Sequence, residues 1–445
     1  MTQDATSALC IVGTGYVGTA NAIGFAELGH DVVGYDVISE RVRSLAQGVP
    51  PYTERDLAAA LREQLDSGRL RFVATLKEAI AAARFIVIAV GTPTSENGSP
   101  DLSALAAVSS ALGALDLAGK IVVVRSTVPP GTTLALQERF PAGVPLVFAP
   151  EFLREGAALA DFRNPSRIVI GALDPTAARA FAALHRGMES PVFYTSPTEA
   201  EVVKGFSNAF LAAKISFANE VANFCDAVGA DAPAVLAAVG ADPRIGAACL
   251  APGIGFGGPC LGKDVRSLQH CAQEAGAPAE MLAASLRVNE SQPNRVIRLL
   301  EKELGEIEGA TIGVWGLTFK AGTDDVRNSL AVRIVNELVA RGARVRAFDP
   351  SVSGRHLLLK CEIAPTAIDA LDADALLVLT DWPEFREISP QLIARRLFRP
   401  IVVDGRNALD REALLELGIA YRGIGRNGPG ASLAPGAAPL QQAAK

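Results

Sequence analysis

Short apolar runs alternating with amphipathic stretches pattern the first third of the chain, the signature of strands interleaved with helices. Ala8–Val12 is an apolar run of strand type, followed by Gly13, Gly15 and Gly18. An apolar-periodic stretch to Leu28 reads as a helix stopped by Gly29, and Asp31–Tyr35 reads as a second strand ending at Asp36. Phe85–Thr94 and Lys120–Thr133 each run from a buried strand into a turn, so Thr92 and Thr127 fall at the carboxyl ends of parallel strands, where open α/β sheets bind ligands. Two further strand-like runs flank the polar segment Glu151–Arg167, which is expected as a loop too charged for the core.

From Pro197 to about Pro293 the pattern turns helical. The run TEAEVVKGFSNAFLAAKISFANEVANFCDAVG sets Lys204 and Asn208 four apart on one face, with Asn208 beside an otherwise apolar stretch. A lone lysine on such a helix is usually a solvated surface group. Several apolar positions left on the outside make this helix the expected contact of a homodimer or higher homo-oligomer.

Strand–turn–helix–strand order then returns over Ala310–Pro350 and ends at Asp349, as the first unit ends at Asp36. Its turn has no GxGxxG and carries Lys320, Asp324, Asp325 and Arg327, which suggests a second nucleotide-type site of different chemistry; the alternative is a decayed duplicate kept for structure. Two more strands follow, with Asp381 and Arg406 at their carboxyl ends. The expected fold is α/β: two Rossmann-like doubly wound domains joined by a central helical domain. Its expected boundaries are 1–196, 197–295 and 296–425, with an Ala/Pro/Gly-rich disordered tail over 426–445.

Composition narrows the function. A length of 445 residues suits two or three domains, and a net charge of −6 leaves no basic footprint for nucleic acid. With no apolar run of spanning length and no basic region before the first apolar stretch, neither membrane span nor signal peptide is expected, which points to the cytoplasm. Six scattered cysteines without a CxxC pair argue against both a disulfide framework and zinc, and no metal is expected. Cys10, Cys225 and Cys271 read as packing residues, and the four histidines form no constellation.

Two stretches carry chemistry. Glycines at GxGxxG spacing between strand and helix, followed by a second strand with a terminal acid, form a dinucleotide-binding fingerprint. Its first glycine allows a tight turn, its second lets backbone approach the pyrophosphate, and its third lets helix pack on strand. Asp36 would accept the ribose 2′-hydroxyl and favour NAD over NADP, a preference softened by Arg41. The other stretch, PGIGFGGPCLGKDVRSL, places Cys260, Lys263 and Asp264 after a glycine-rich loop at the mouth of a helix. Helix N-terminus and lysine both favour a thiolate. Taken alone, a reactive thiol and a glycine-rich turn with a buried cysteine are evenly balanced here.

The motifs GTGYVG, VGTP, RSTVPPGTT, PEFLREG with NPSRIVIG, KGFSNAFLAAKISFANE, RIG, GFGGPCLGKD and GLTFKAGTDDVRNS, in that order, resemble the UDP-glucose/GDP-mannose dehydrogenase family from about residue 8 to 407. NPSRIVIG, SNAFLAAKISFANE and DPRIG resemble the branch acting on UDP-glucose. The resemblance implies oxidation of a sugar C6 alcohol to a carboxylate with two NAD⁺, through a thiohemiacetal and a thioester on Cys260. It further implies that Lys204 and Asn208 stabilise the oxyanion, that Asp264 positions water with Thr127, and that Glu151 serves acid/base steps. Implied cofactor contacts are Gly13, Gly15, Tyr16, Val17, Gly18, Asp36, Arg41, Thr92, Thr127, Glu155, Lys263 and Arg327. The sugar nucleotide would meet Glu151, Phe152, Leu153, Arg154, Glu155, Lys204, Asn208, the stretch Cys249, Leu250, Ala251, Pro252, Gly253, and also Gly257, Lys320 and Arg406. Arg244 is a further candidate, reaching a neighbouring subunit's site.

The chain departs from the family pattern at Cys249, Pro259, Gly262 and Leu330, which leaves dTDP-glucose, GDP-mannose or another NDP-hexose open as substrate. A two-electron β-hydroxyacid-type dehydrogenase would leave Cys260 and the C-terminal α/β unit unexplained. A non-enzymatic nucleotide-sugar sensor would have no need of Cys260, Lys204, Asn208 and Asp264 together.

Overall fold

The computed structural model describes residues 6–95, 98–352 and 360–426; the expected tail, Arg426 apart, lies outside them, as does His356. The chain forms two compact units, one of residues up to 207 together with 266–277, the other of residues 208–265 together with those from 278 onward.

In the first unit the strands are β1 (Ala8–Val12), β2 (Asp31–Tyr35), β3 (Leu70–Phe72), β4 (Phe85–Ile88), β5 (Ile121–Val124), β6 (Leu146–Phe148), β7 (Ile168–Ala172) and β8 (Val192–Thr195). They form one sheet in the order β3-β2-β1-β4-β5-β6-β7-β8, parallel except between β6 and β7. The order reverses at β1, as doubly wound folds require. Leu9 and Ile11 pack into one hydrophobic cluster and Cys10 and Val12 into another, so both faces are covered. That is why the strands read as continuous apolar runs. The helix Tyr16–Glu27 is buried over Gly18–Ala26, and the ring of Phe162 occupies the space a Cβ at Gly24 would need, 2.1 Å away.

The segment expected as a charged loop contains the helix Ala158–Arg163, with Ala158, Leu159 and Phe162 buried. Its charges are neutralised locally: Arg154 pairs with Asp161 at 2.6 Å, and Arg163 with Glu27 at 2.6 Å. Asp161 and Arg163 flank the apolar side of this short helix, and with their charges paired that side is free to join the core.

In the second unit β9 (Thr311–Trp315), β10 (Arg344–Phe348), β11 (Glu362–Ile363), β12 (Ala375–Val378), β13 (Ile401–Asp404) and β14 (Ala420–Gly423) form a parallel sheet in the order β11-β10-β9-β12-β13-β14. This is the first sheet's winding repeated. Four helices, Pro197–Val228, Ala232–Gly240, Leu261–Glu274 and Glu280–Leu304, make up the central stretch. Among the described residues no helix is long and apolar enough to cross a membrane.

Candidate active site

In the first unit the glycine turn behaves as its spacing requires. Gly13 has φ +90°, and a Cβ there would lie 2.7 Å from the Ala89 carbonyl oxygen. A Cβ on Gly18 would lie 1.8 Å from the Gly13 oxygen, whereas one on Gly15 would meet nothing within 4 Å. Two glycines are therefore demanded by packing and the middle one opens space above the helix N-terminus, which fits a bound pyrophosphate. Asp36 Oδ2 accepts from the Thr14 amide at 2.8 Å and from its hydroxyl at 3.2 Å, and Arg41 pairs with it at 2.8 Å. Burial raises the Asp36 carboxyl, but bonds from the Ile38 and Thr14 amides, with Arg41, overturn this and hold it below the ordinary carboxylate value. Tyr16 donates to Glu54 at 2.9 Å and to the Arg154 carbonyl at 2.8 Å, which ties the turn to the segment after β6.

At the carboxyl end of the same sheet Thr92 donates to the Thr127 carbonyl at 2.6 Å, bringing two expected residues together. Glu151 and Lys204 are brought together as well: both are buried, and Lys204 Nζ lies 3.1 Å from Glu151 Oε1. The other Glu151 oxygen accepts from the Leu153 amide at 2.5 Å. Lys204 is thus no solvated surface lysine. Phe152 lies beneath the Arg167 guanidinium, 3.8 Å from ring to cation. The Arg154 guanidinium, expected on the sugar nucleotide, is turned onto Asp161. Glu155 is half-buried.

In the second unit Cys260 is exposed and caps a helix from just outside it, its carbonyl accepting the Asp264 amide at 2.9 Å. It stands directly ahead of the helix Leu261–Glu274. Asp264 is buried, accepts from Asn208 at 2.5 Å and pairs with Lys263 at 2.6 Å, so three expected residues form one cluster. The loop ahead of Cys260 is clamped by asparagines. Asn219 Oδ1 accepts from Gly253 at 2.8 Å, and Asn289 exchanges two bonds with the Phe256 backbone at 2.7 and 3.0 Å. Gly257 and Gly258 press on the Asn328 carbonyl and the Phe319 ring, where a Cβ would come within 2.6 and 2.8 Å. Leu330 fills the space beside Gly255, its Cδ1 2.8 Å from where a Cβ would sit.

Arg406 is half-buried at the carboxyl edge of this sheet and donates to the Leu379 carbonyl at 2.9 Å; desolvation pushes its guanidinium down. Leu250, Pro252 and Gly253 are buried beside exposed Ala251, and Cys249 has φ +62°, a conformation few non-glycine residues adopt. Arg327 pairs with Asp325, and Lys320 lies half-buried with its ammonium 5.7 Å from the Phe319 ring centroid. Arg244 is held by Asp242 at an exposed position and meets none of the other expected residues of this unit in a described bond.

Several participants carried no signal of their own in the sequence. Arg125, buried after β5, donates to the Ala149 carbonyl at 3.1 Å; burial pushes it down to about 10 while the charge of Glu151 opposes that shift. Glu201 accepts from the Gly131 and Thr133 amides and the Thr133 hydroxyl, filling the start of the helix Thr132–Gln137 behind the Thr127 turn. Lys214 holds the carbonyls of Ile245 and Gly246, both at 3.0 Å. Their partners lie far away in sequence, so no local spacing announces them.

Three family models match the chain. They are the UDP-glucose/GDP-mannose dehydrogenase family NAD binding domain over residues 7–189, its central domain over 198–291, and its UDP binding domain over 313–411. The UDP-glucose 6-dehydrogenase TuaD of Bacillus subtilis is 39% identical over 430 residues, covering 94% of this chain and 93% of that protein. A UDP-glucose 6-dehydrogenase of Pseudomonas aeruginosa is 39% identical over 444 residues, covering 94% and 97%. The solved structure of a UDP-glucose dehydrogenase from the archaeon Pyrobaculum islandicum superposes with a TM-score of 0.88 at 40% identity, covering 96% of this chain and 99% of that one.

Proposed function

The chain belongs to the UDP-glucose/GDP-mannose dehydrogenase family and is an NAD-dependent oxidoreductase, and from that premise we propose how its residues oxidise a nucleotide sugar. The reaction is the conversion of UDP-glucose to UDP-glucuronate, the activity named for its relatives. The observation that carries the residue assignment is the cluster around Cys260: an exposed thiol on the residue just before a helix, with Asp264 one turn on, held by Asn208 and Lys263.

Bound NAD⁺ supplies the hydride acceptor for each of the two oxidations. The Gly13–Gly18 turn, Asp36 and Thr92 would hold it, with Glu155, Lys263 and Arg327 as further contacts. Cys260 Sγ attacks the C6 aldehyde carbon, and the carbonyl electrons move onto oxygen, where Lys204 and Asn208 stabilise the charge. Once the thiohemiacetal has been oxidised, C6 is a thioester. Water positioned by Asp264 with Thr127 adds to it, the C–S bond breaks, and the thiolate of Cys260 leaves as the acid is released. Glu151 takes and returns the protons of these steps. Sulfur suits the task because it captures the aldehyde and still leaves an acyl group that water can cleave.

Phe206, Phe210, Phe217 and Phe224, each more than half exposed, run along the Pro197–Val228 helix. Such a stripe fits a second copy of the chain, and the enzyme is proposed to act as a homodimer or larger homo-oligomer in the cytoplasm.

The test is Cys260→Ser with UDP-glucose. An oxyester resists hydrolysis far more than a thioester, so UDP-glucuronate release should fall by at least about 1000-fold, with the ester accumulating on the protein. Acid formation near the wild-type rate, or one NADH in place of two per sugar consumed, would overturn the mechanism. UDP-, dTDP- and GDP-hexoses compared by NADH release test the substrate.

A further inference from the structure

From residue 208 onward the long helix is tied to the Glu280–Leu304 helix by two bonds at the same sequence offset, so the two run in the same direction. Ser216 Oγ donates to the Ser285 carbonyl at 2.7 Å, and further along Arg295 pairs with Asp226; both rungs join residues 69 apart in sequence. The same offset sets Gln292 opposite Asn223. Gln292 is fully buried, and neither its Oε1 nor its Nε2 meets a hydrogen-bond partner. Asn223 Oδ1 is also buried and unpartnered. One turn back, Asn219 is fully buried and uses its Oδ1 on the Gly253 amide, while its Nδ2 is unpartnered.

Buried amide groups are almost always satisfied, so this level of the helix pair calls for a partner that is not protein. Exchanging amide oxygen and nitrogen does not remove the need. Asn219 must keep its oxygen toward the Gly253 N–H, which fixes Nδ2 as a donor. Two donors, Asn219 Nδ2 and Gln292 Nε2, then stand with two acceptors, Asn223 Oδ1 and Gln292 Oε1. That set matches water, which accepts twice and donates twice.

We propose that Asn219, Asn223 and Gln292 form a water-binding rung that acts through the Asn219 amide to position the Gly253 end of the loop leading to Cys260. Of the asparagines on this loop, Asn289 has both amide atoms engaged by Phe256. Asn219 has only one engaged by protein, so its amide plane is fixed only if something holds Nδ2. Water in the rung does so. Asn219, Asn223 and Gln292 are positioning residues; none is placed against the reacting atoms. The link to sugar binding rests on the proposed function, whereas the hydration site and its hold on Gly253 do not.

The experiment uses the full-length enzyme. A high-resolution crystal structure of the wild type should show ordered water within hydrogen-bond distance of Asn219 Nδ2 and Gln292. Direct pairing of Asn223 with Gln292, with no water at that level, would overturn the proposal whether or not any variant folds. The double variant Asn223→Leu/Gln292→Leu replaces the rung with helix-forming apolar side chains. In the folded variant, amide hydrogen exchange over 250–258 should quicken roughly tenfold at Gly253, and KM for UDP-glucose should rise about fivefold with kcat within about twofold. Exchange within about twofold of wild type in that folded variant would equally overturn it. If wild-type enzyme turned over no UDP-glucose while Gly253 exchange still quickened, the substrate assignment would fall and the rung would stand.

Discussion

The two sheets carry the same frame and fill it differently. In the first, the Gly13 amide bonds the Tyr35 carbonyl at 2.8 Å; in the second, the Gly316 amide bonds the Phe348 carbonyl at 2.8 Å. The two glycines have φ +90° and +94°. Asp36 and Asp349, each just past the second strand, reach back to the turn: Asp36 to the amide and hydroxyl of Thr14, Asp349 to the Leu317 and Thr318 amides and the Thr318 hydroxyl. What differs is the length of chain before the next helix. The first begins at Tyr16, directly after the glycines, and leaves open space above Gly15; the second begins only at Leu330. The intervening loop presses on Gly257 and Gly258, ahead of Cys260. One frame thus leaves its helix N-terminus open to a cofactor, and the other spends it on holding the thiol loop.

The shared glycine should be the most sensitive point in both copies. Gly316→Val forces a β-branched residue to positive φ and sets its Cβ 2.3 Å from the Thr380 Cβ, a cost of about 4 kcal/mol. Gly13→Val meets a slightly wider gap, 2.7 Å to the Ala89 oxygen, and should cost about 3 kcal/mol. Urea unfolding of both variants gives the comparison, and a loss below about 1 kcal/mol in either would break the equivalence of the two turns.

The aspartates should separate the copies. Asp349→Ala strands the buried Leu317 and Thr318 amides and removes one of the two acceptors of the Trp382 indole N–H, which should cost about 3 kcal/mol while leaving KM for NAD⁺ within about twofold. Asp36→Ala should cost less stability, about 2 kcal/mol, and raise KM for NAD⁺ at least about tenfold. An NAD⁺ defect of equal size in both variants would refute the division of roles.

How far the sequence made this legible follows the length of each interaction. The Gly13–Asp36 unit and its echo at Asp349 are contained in short windows, so spacing alone exposes strand, turn, helix and terminal acid. The asparagine clamps could not be read that way, because Asn219 and Gly253 stand 34 residues apart and neither is unusual in its own neighbourhood. The pairing of Lys204 with Glu151 was hidden in the same way, because the two stand 53 residues apart. The Glu151–Arg167 segment looked like a loop because its charges are evident and their mutual pairing is not. Local periodicity carries the fold, while buried polar pairs across the fold build the site and leave little trace in a window.

Acid should also tell the units apart. Every histidine among the described residues lies in the first unit. Burial, with the Arg125 charge second, pushes the His185 imidazole from 6.5 down to about 3. A buried histidine held neutral takes up its proton only on unfolding, so its contribution to stability is complete above the unfolded value and is lost as pH falls toward the folded one. Between pH 7 and pH 5 that loss is about 2 kcal/mol. His185→Phe should flatten the pH dependence of unfolding by this amount, read from urea midpoints at the two pH values; an unchanged slope would mean that His185 is not what makes the first unit acid-sensitive.

The smallest effect on stability belongs to the glycine that gives the first turn its purpose. Gly15 has φ −70° and ψ −156°, which an alanine can adopt, and an added Cβ meets nothing within 4 Å. Gly15→Ala should therefore keep the urea midpoint within about 0.5 kcal/mol of wild type, since no neighbour has to move. Any effect must come from what occupies the open space, and a methyl group above the helix N-terminus displaces a pyrophosphate from the backbone amides. NAD⁺ affinity should fall about tenfold or more, measured by fluorescence titration without sugar. Gly322, in the longer loop of the second unit, also has open space where an added methyl would go but φ +80°, so alanine there should cost stability and spare NAD⁺. If Gly15→Ala instead destabilised the fold and bound NAD⁺ normally, the open space in the first turn would be a consequence of packing and not the cofactor's place.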